Sequence, residues 1–298
     1  MITVLRNHKS TVVKKQLLYV AFLFLFGSCA STSISEEPTQ ETKLNYGGPG
    51  LSVEAYYAPA RNAAGEELKA LLHEIIDDHK AFPYSASSTD TWDILNQSDK
   101  DPNNSSNVLL IYTRESVDGA QEYNGGAGWN REHVWAKSRG DFGTSTGTGT
   151  DVHNLRASNI QMNKQRSNHS FDTCSTNCET TFGNKYKEVN DHGTFEPRDE
   201  DKGDVARILF YMAVRYEGDT TGERDLELLD NTQALHSKSP YHGVKQTLLE
   251  WHVQDPVDDF ERNRNNAIYQ FQHNRNPFID HPELVAYIWG DKQTAMWQ

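Results

Sequence analysis

Basic residues are the scarce class in this chain: 29 Lys and Arg stand against 42 Asp and Glu, giving a net charge of −13. A protein that grips phosphates through a broad face of Lys and Arg shows a basic footprint, and this composition argues against that mode. Any nucleic-acid role must rest on a local basic groove or on bound cations. Cysteine is scarcer still, with three in 298 residues, too few for a disulfide-built scaffold. No apolar run reaches the roughly 20 residues of a comfortable membrane span, and no internal repeat is present. What remains is the composition of a folded domain. Hydrophobic residues make up 36% and charged residues 24%, with thirteen Tyr, twelve Phe and six Trp to fill an interior.

The first 28 residues follow the three-part plan of a secretory signal. Basic residues end at Lys14-Lys15, an apolar run extends from Leu17 to Phe26, and the small residues Gly27-Ser28-Cys29-Ala30 follow. A permanent membrane anchor is the alternative reading of this segment. Phe26-Gly27-Ser28-Cys29 resembles a bacterial lipoprotein cleavage box, which makes Cys29 a candidate lipid attachment site and leaves plain secretion as the other outcome. Residues 29–50 are polar and read as a flexible tether. Residues 51–298 contain no clear linker and read as one mixed α+β domain. Cys174 and Cys178 lie close enough in sequence to close a small disulfide loop in an exported chain, with a metal pair as the rival reading.

Within the domain, residues 64–80 carry Leu68, Leu71, Leu72, Ile75 and Ile76 at helical spacing. Val108 to Tyr112 predicts a buried strand, Asn124-Gly125 a tight turn, and the Gly, Thr and Ser of 138–150 a loop. Val205, Ile208, Leu209, Met212 and Tyr216 predict a later helix. Asp255-Pro256 reads as the cap of another that continues through Phe260, Arg264, Ile268 and Phe271, and His281-Pro282 opens a last short one.

Two segments carry candidate chemistry. Trp129-Asn130-Arg131-Glu132-His133-Val134-Trp135 sets a carboxylate beside an imidazole in an extended stretch. Alone this is no more than two polar residues on a half-exposed strand, and it lacks the two-His spacing of a helical metalloprotease. Then Asp151-Val152-His153-Asn154-Leu155-Arg156-Ala157 reads as a short extended piece. Ser158 and Gln161 form a capping-box pattern, and the helix they open, 159–166, holds Asn163 in its second turn. Two strands and a helix in this order can clamp one metal ion.

At this point the chain resembles the endonuclease I family, within the His-Me finger or ββα-metal nucleases. The likeness runs over about residues 54–289. It takes in Tyr56-Tyr57, Trp92-Asp93-Ile94-Leu95, Asp101-Pro102-Asn103-Asn104, Arg166-Ser167-Asn168 and Asn274-Arg275-Asn276-Pro277-Phe278. The resemblance implies a ββα-metal core surrounded by helices, and an exported, largely sequence-nonspecific endonuclease that leaves 5′-phosphates on DNA and RNA. It implies His133 as general base and one divalent cation held by Glu132 and Asn163, with Mg²⁺ expected and Mn²⁺ or Ca²⁺ as alternatives. Family members also hold the phosphate with an Arg from the loop after the catalytic His. Arg139 is the candidate here, against a solvated surface charge. His153 and Asn154 are expected to support His133 from behind, and Arg166 to pair with acids near the site. His169 and the remaining nine histidines carry no transferable role. The implied partners are nucleic-acid substrates and, through a lipid on Cys29 alone, a membrane; no obligate protein partner is implied. The competing reading is an inactive nucleic-acid-binding lipoprotein of the same fold.

Overall fold

A helix buried on every side organises the molecule. In the computed structural model, which describes residues 50–298, all fourteen residues of the central helix Lys202–Arg215 are buried. The apolar stripe at Val205, Ile208, Leu209 and Met212 accounts for one face only. The other faces bring Asp204, Arg207 and Arg215 inside, and a buried charge is tolerable only when paired. Asp204 accepts from Arg156 at 2.9 Å. Arg207 grips Glu261 with two bonds of 2.7 and 2.6 Å. Arg215 reaches His79 at 3.0 Å and Glu223 at 3.4 Å.

The helices Gly65–Ile76, Lys245–Gln254 and Asp259–Gln272 and several short strands surround this axis. The sheets are small. One has three strands, Lys100–Asp101, Asn104–Leu109 and Ser116–Asp118; another has four, in the order Ser170–Phe171, His192–Glu196, Asn184–Val189, Glu179–Thr181. Glu227–Leu228 pairs with Tyr241–His242, and Trp129–His133 with Leu155–Asn159. Helices and small separate sheets make this an α+β fold, as the sequence predicts. Beneath Trp129–His133 lies a second core of Ile94, Leu95, Val108, Leu110, Trp129, Val152, Leu155 and Ile268, apart from the larger cluster around the central helix.

Several local expectations shift. The first predicted helix stops at Ile76, with Asp77 as its C-cap. Strand pairing ends at Leu109, and the buried run continues as single contacts, Ile111 bridging Ser158. Ser158 is not a cap but a strand residue; Asn159 caps the next helix by accepting from the Gln161 and Met162 amides. Asp255 ends one helix rather than opening the next. Asp258, in a reciprocal capping box with Glu261, does that, and the Asp255 carboxylate instead receives the Gly203 amide at 2.8 Å. Asn124-Gly125 does turn, with φ of 38° and 61°. Cys174 and Cys178 form a disulfide with a Cα separation of 6.1 Å.

The predicted signal segment 1–28, Cys29 and all but the last residue of the tether 29–50 lie outside the described residues. Among the described residues, no helix is long and apolar enough to cross a membrane.

Candidate active site

The strand Trp129–His133 pairs antiparallel with Leu155–Asn159, setting Glu132 opposite Arg156 and His133 opposite Leu155. The far edge of this pair is covered, not open. Asp99 accepts the Ala157 amide at 2.7 Å, Ile111 donates to the Ala157 carbonyl at 2.8 Å, and Arg264 donates to the carbonyls of Val152 and Leu155. Buried side chains thus satisfy backbone groups that a further strand would otherwise take.

Between the two strands the chain makes a long excursion, and Asn154 closes its base. Its side chain accepts the Trp135 amide at 2.6 Å and donates to the Trp135 carbonyl at 3.1 Å. Its own carbonyl accepts from Val134 at 3.0 Å. Inside the excursion, the short 3₁₀ turn Thr148–Thr150 folds back on the Gly143-Thr144 backbone. A Cβ on Gly149 would meet the Gly143 carbonyl oxygen at 2.8 Å and the Thr144 Cα at 2.9 Å. Only glycine lets these backbones approach so closely.

That approach delivers the Gly149 carbonyl to His133 Nε2 at 2.9 Å. A carbonyl oxygen can only accept, so Nε2 carries the proton, and in the neutral ring the lone pair sits on Nδ1. Burial holds His133 in that neutral form, lowering its pKa to about 4, while the bond to Gly149 works in the opposite direction. Tyr84 stacks on the imidazole at 5.8 Å and 16°, and the Arg131 guanidinium lies over the same Tyr84 ring at 3.3 Å.

Glu132 is buried beside it. Oε1 accepts from the Tyr112 hydroxyl at 3.1 Å and ion-pairs with Arg166 Nε at 3.2 Å. Burial nevertheless pushes this carboxyl up to about 7; Arg166 and the Tyr112 hydroxyl oppose that rise. Asn163 sits in the helix Ile160–Arg166 and donates its amide NH₂ to the Arg131 carbonyl at 3.2 Å, which leaves Oδ1 as the oxygen it can offer. Glu132, His133 and Asn163 all line one cavity of about 620 Å³. Lys137, Ser138, Asn168, Asp191 and His236 form more of its wall.

The remaining expected residues scatter. Arg166 pairs with Glu132 as expected for an Arg near site acids, and its Nη1 donates to the Ser167 carbonyl at 2.9 Å. Arg139 does not reach the cavity. It is buried, donating to the carbonyls of Ala234 and Asn168 at 2.8 Å each and of Gln233 at 3.2 Å. Its expected grip on phosphate is therefore corrected: the guanidinium pins the loop to the 233–234 segment. His153 is not behind His133. Its Nε2 lies 3.3 Å from the Asn274 carbonyl and its ring 4.6 Å from Tyr211. Asn154 is the one of the pair that supports the His133 strand.

The sequence reading missed Tyr84, Tyr112 and the Gly149 carbonyl. Tyr112 was legible only as the end of an apolar run. A backbone carbonyl has no residue signature; the Gly-rich loop was its only trace.

As for a cation, the oxygens of Glu132 and Asn163 form a hard-donor set of the kind that suits Mg²⁺, Mn²⁺ or Ca²⁺. A carboxylate this buried is also one whose ionised form a neighbouring cation would stabilise.

Known proteins resemble this chain over most of its length. The family model described as Endonuclease I matches residues 64–283. A protein named extracellular ribonuclease from Bacillus subtilis (strain 168) is 52% identical over 244 residues, covering 81% of this chain and 80% of that one. A second protein of that name, from Bacillus amyloliquefaciens, is 50% identical over the same length and with the same coverage.

Proposed function

The chain belongs to the endonuclease I family, and we propose that it is an extracytoplasmic, divalent-cation-dependent endonuclease that cuts both RNA and DNA with little sequence preference, leaving 5′-phosphates. At the coarser level it is a nuclease, a hydrolase of phosphodiester bonds. The observation that carries the finer reading is the His133–Gly149 bond of 2.9 Å. It presents a neutral imidazole with a free Nδ1 in the cavity that also holds Glu132 and Asn163.

His133 Nδ1 takes the proton of a water as that water attacks phosphorus. Burial keeps the ring neutral at ordinary pH, so Nδ1 is unprotonated before the step. Glu132 and Asn163 would hold the divalent cation, which would supply positive charge to the phosphate and to the 3′ oxygen as its bond to phosphorus breaks. Arg166 and the Tyr112 hydroxyl fix Glu132, so a ligand oxygen keeps its place through turnover. Lys137, exposed on the cavity wall four residues beyond His133, takes the phosphate contact that Arg139 cannot make. The attacking group is water, not the neighbouring 2′ hydroxyl, so nothing in this scheme requires ribose. That is why the reading includes DNA although both relatives are named ribonucleases.

Location outside the cytoplasm is supported by the names of those relatives, by the signal-like residues 1–28 and by the Cys174–Cys178 disulfide, which suits an oxidising compartment. Lipidation at Cys29 remains part of the proposal. The purified protein should nick supercoiled plasmid and degrade a structured RNA in Mg²⁺ and lose both activities in EDTA. Absence of cleavage by folded protein in Mg²⁺, Mn²⁺ and Ca²⁺ would sink the nuclease mechanism.

A further inference from the structure

Away from the cavity, His73, Asp77 and Asp219 bring one imidazole nitrogen and two carboxylate oxygens within 4.8 Å of one another. His73 and Asp77 are one turn apart at the C-terminal end of the helix Gly65–Ile76. Asp219 belongs to the loop after the central helix, where Glu217 bridges Asp225. None of the three lines the active-site cavity.

The buried partner defines the site. His73 is 4% exposed, and its Nδ1 lies 2.9 Å from the Val214 carbonyl oxygen. That oxygen only accepts, so Nδ1 holds the hydrogen and a neutral ring presents its lone pair at Nε2. Nε2 faces Asp219 Oδ2 at 3.1 Å, and Oδ2 is itself an acceptor. Two lone pairs repel at that distance, so a positive charge, either a proton shared between them or a cation bound against both, must lie between the ring and the carboxylate.

We propose that His73, Asp77 and Asp219 form a second metal site, which takes a divalent transition-metal ion such as Zn²⁺. A histidine oriented by a backbone carbonyl through its other nitrogen is the usual state of a metal-bound imidazole. One nitrogen and two carboxylates favour such an ion over Mg²⁺, which prefers an all-oxygen shell. Ligands about 2.0–2.2 Å from a tetrahedral ion stand about 3.3–3.6 Å apart, close to the 3.1 Å between Nε2 and Oδ2. Asp219 is exposed, so its carboxylate can close the wider gaps by rotation, and water completes the shell. The helix C-terminus adds a favourable field for a cation. The bound ion ties the loop after the central helix to the end of the helix Gly65–Ile76.

The test counts ions. The full-length protein, stripped with EDTA, is dialysed against Zn²⁺ or Co²⁺, and bound metal per chain is measured for the native protein, Asp77→Asn and Asp219→Asn. Each variant should bind one equivalent fewer than the native chain and lose part of the visible Co²⁺ absorption, while keeping its circular dichroism and its Mg²⁺-dependent plasmid cleavage. The same comparison in a Glu132→Gln background should again show one equivalent lost, which separates this site from the one proposed for cleavage. Equal metal content in native and variant proteins would overturn the proposal and leave an imidazolium–carboxylate pair. So would a native melting temperature that Zn²⁺ raises no more than that of Asp219→Asn.

Discussion

Asn154 and Trp135 hold each other by two opposed hydrogen bonds, the Trp135 amide to Oδ1 at 2.6 Å and Nδ2 to the Trp135 carbonyl at 3.1 Å. This side chain imitates a strand partner at the point where Trp129–His133 has run out of one. Replacing it with Ala leaves a buried amide and a buried carbonyl unsatisfied, at about 1–3 kcal/mol each. Asn154→Ala should therefore lose about 2–6 kcal/mol in urea denaturation, with cleavage falling further than the folded fraction does. Wild-type stability would show that the clasp is incidental.

His133→Ala should lower kcat by about 10²–10⁴-fold in a chain that still folds, since it removes the proposed proton acceptor at the cost of only the Gly149 bond and the Tyr84 stacking. The comparison variant is Gly149→Ala. It keeps the imidazole but pushes a Cβ against the Gly143 carbonyl and Thr144, so the carbonyl that orients His133 must move. Its kcat should fall while KM stays near the native value. Full activity in Gly149→Ala would detach the loop from the mechanism.

Lys137 and Arg139 should separate cleanly. Lys137→Ala should raise KM for nucleic acid and flatten its salt dependence, with an unchanged melting temperature, because a lost phosphate contact removes about one unit of counterion release. Arg139→Ala should instead destabilise the protein by about 2–4 kcal/mol, because the carbonyls of Ala234, Gln233 and Asn168 lose their donor. The opposite pattern, a stable Arg139→Ala that no longer binds substrate, would restore Arg139 as the phosphate ligand.

Stability should fall as the solution is acidified from neutrality, and His153 accounts for part of the slope. Burial lowers its pKa to about 3, against an ordinary 6.5. Asp151 pulls it up, Arg264 and His79 push it down, and Tyr211 and the Asn274 carbonyl complete its surroundings. The unfolded chain thus binds a proton that the folded chain refuses. The stability involved is complete above pH 6.5 and is lost as pH falls toward 3. Between pH 6.5 and 5 the loss from this residue is about 2 kcal/mol. Asp151 titrates lower, near 2, and adds nothing in that window. Unfolding free energies from urea titration at pH 7 and pH 5 should converge in His153→Asn by about this amount relative to native protein; an unchanged difference would remove His153 from the account.

The parts of the site legible in the sequence were those that carry chemistry in side chains on short local segments. Glu132, His133 and Asn163 could be picked out because residue type and order specify them. The Gly149 carbonyl could not, because its role depends on how a Gly- and Thr-rich loop folds back on itself. Arg139 was expected in the cavity for the same reason: position after His133 says nothing about which way the loop turns. Helical spacing found the apolar face of Lys202–Arg215, but not that Asp204, Arg207 and Arg215 are also inside, since periodicity cannot tell a solvated charge from a paired one. Helix starts moved by one to three residues where two capping side chains competed, as at Ser158 against Asn159 and Asp255 against Asp258.

The pairing of Arg207 with Glu261 links residues 54 positions apart through a bidentate contact in the interior. A chain ending before Glu261 loses both carboxylate bonds to a buried guanidinium and leaves it the Asp255 carbonyl and the more distant Asp204. Shortening the domain from its C-terminus past Glu261 therefore costs a buried charge pair. Partly opened forms that separate this pair are unfavourable, so chain that a protease could cut is rarely presented there. The same feature makes the molecule a poor source of autonomous fragments, and mapping its activity by truncation would report collapse instead of function.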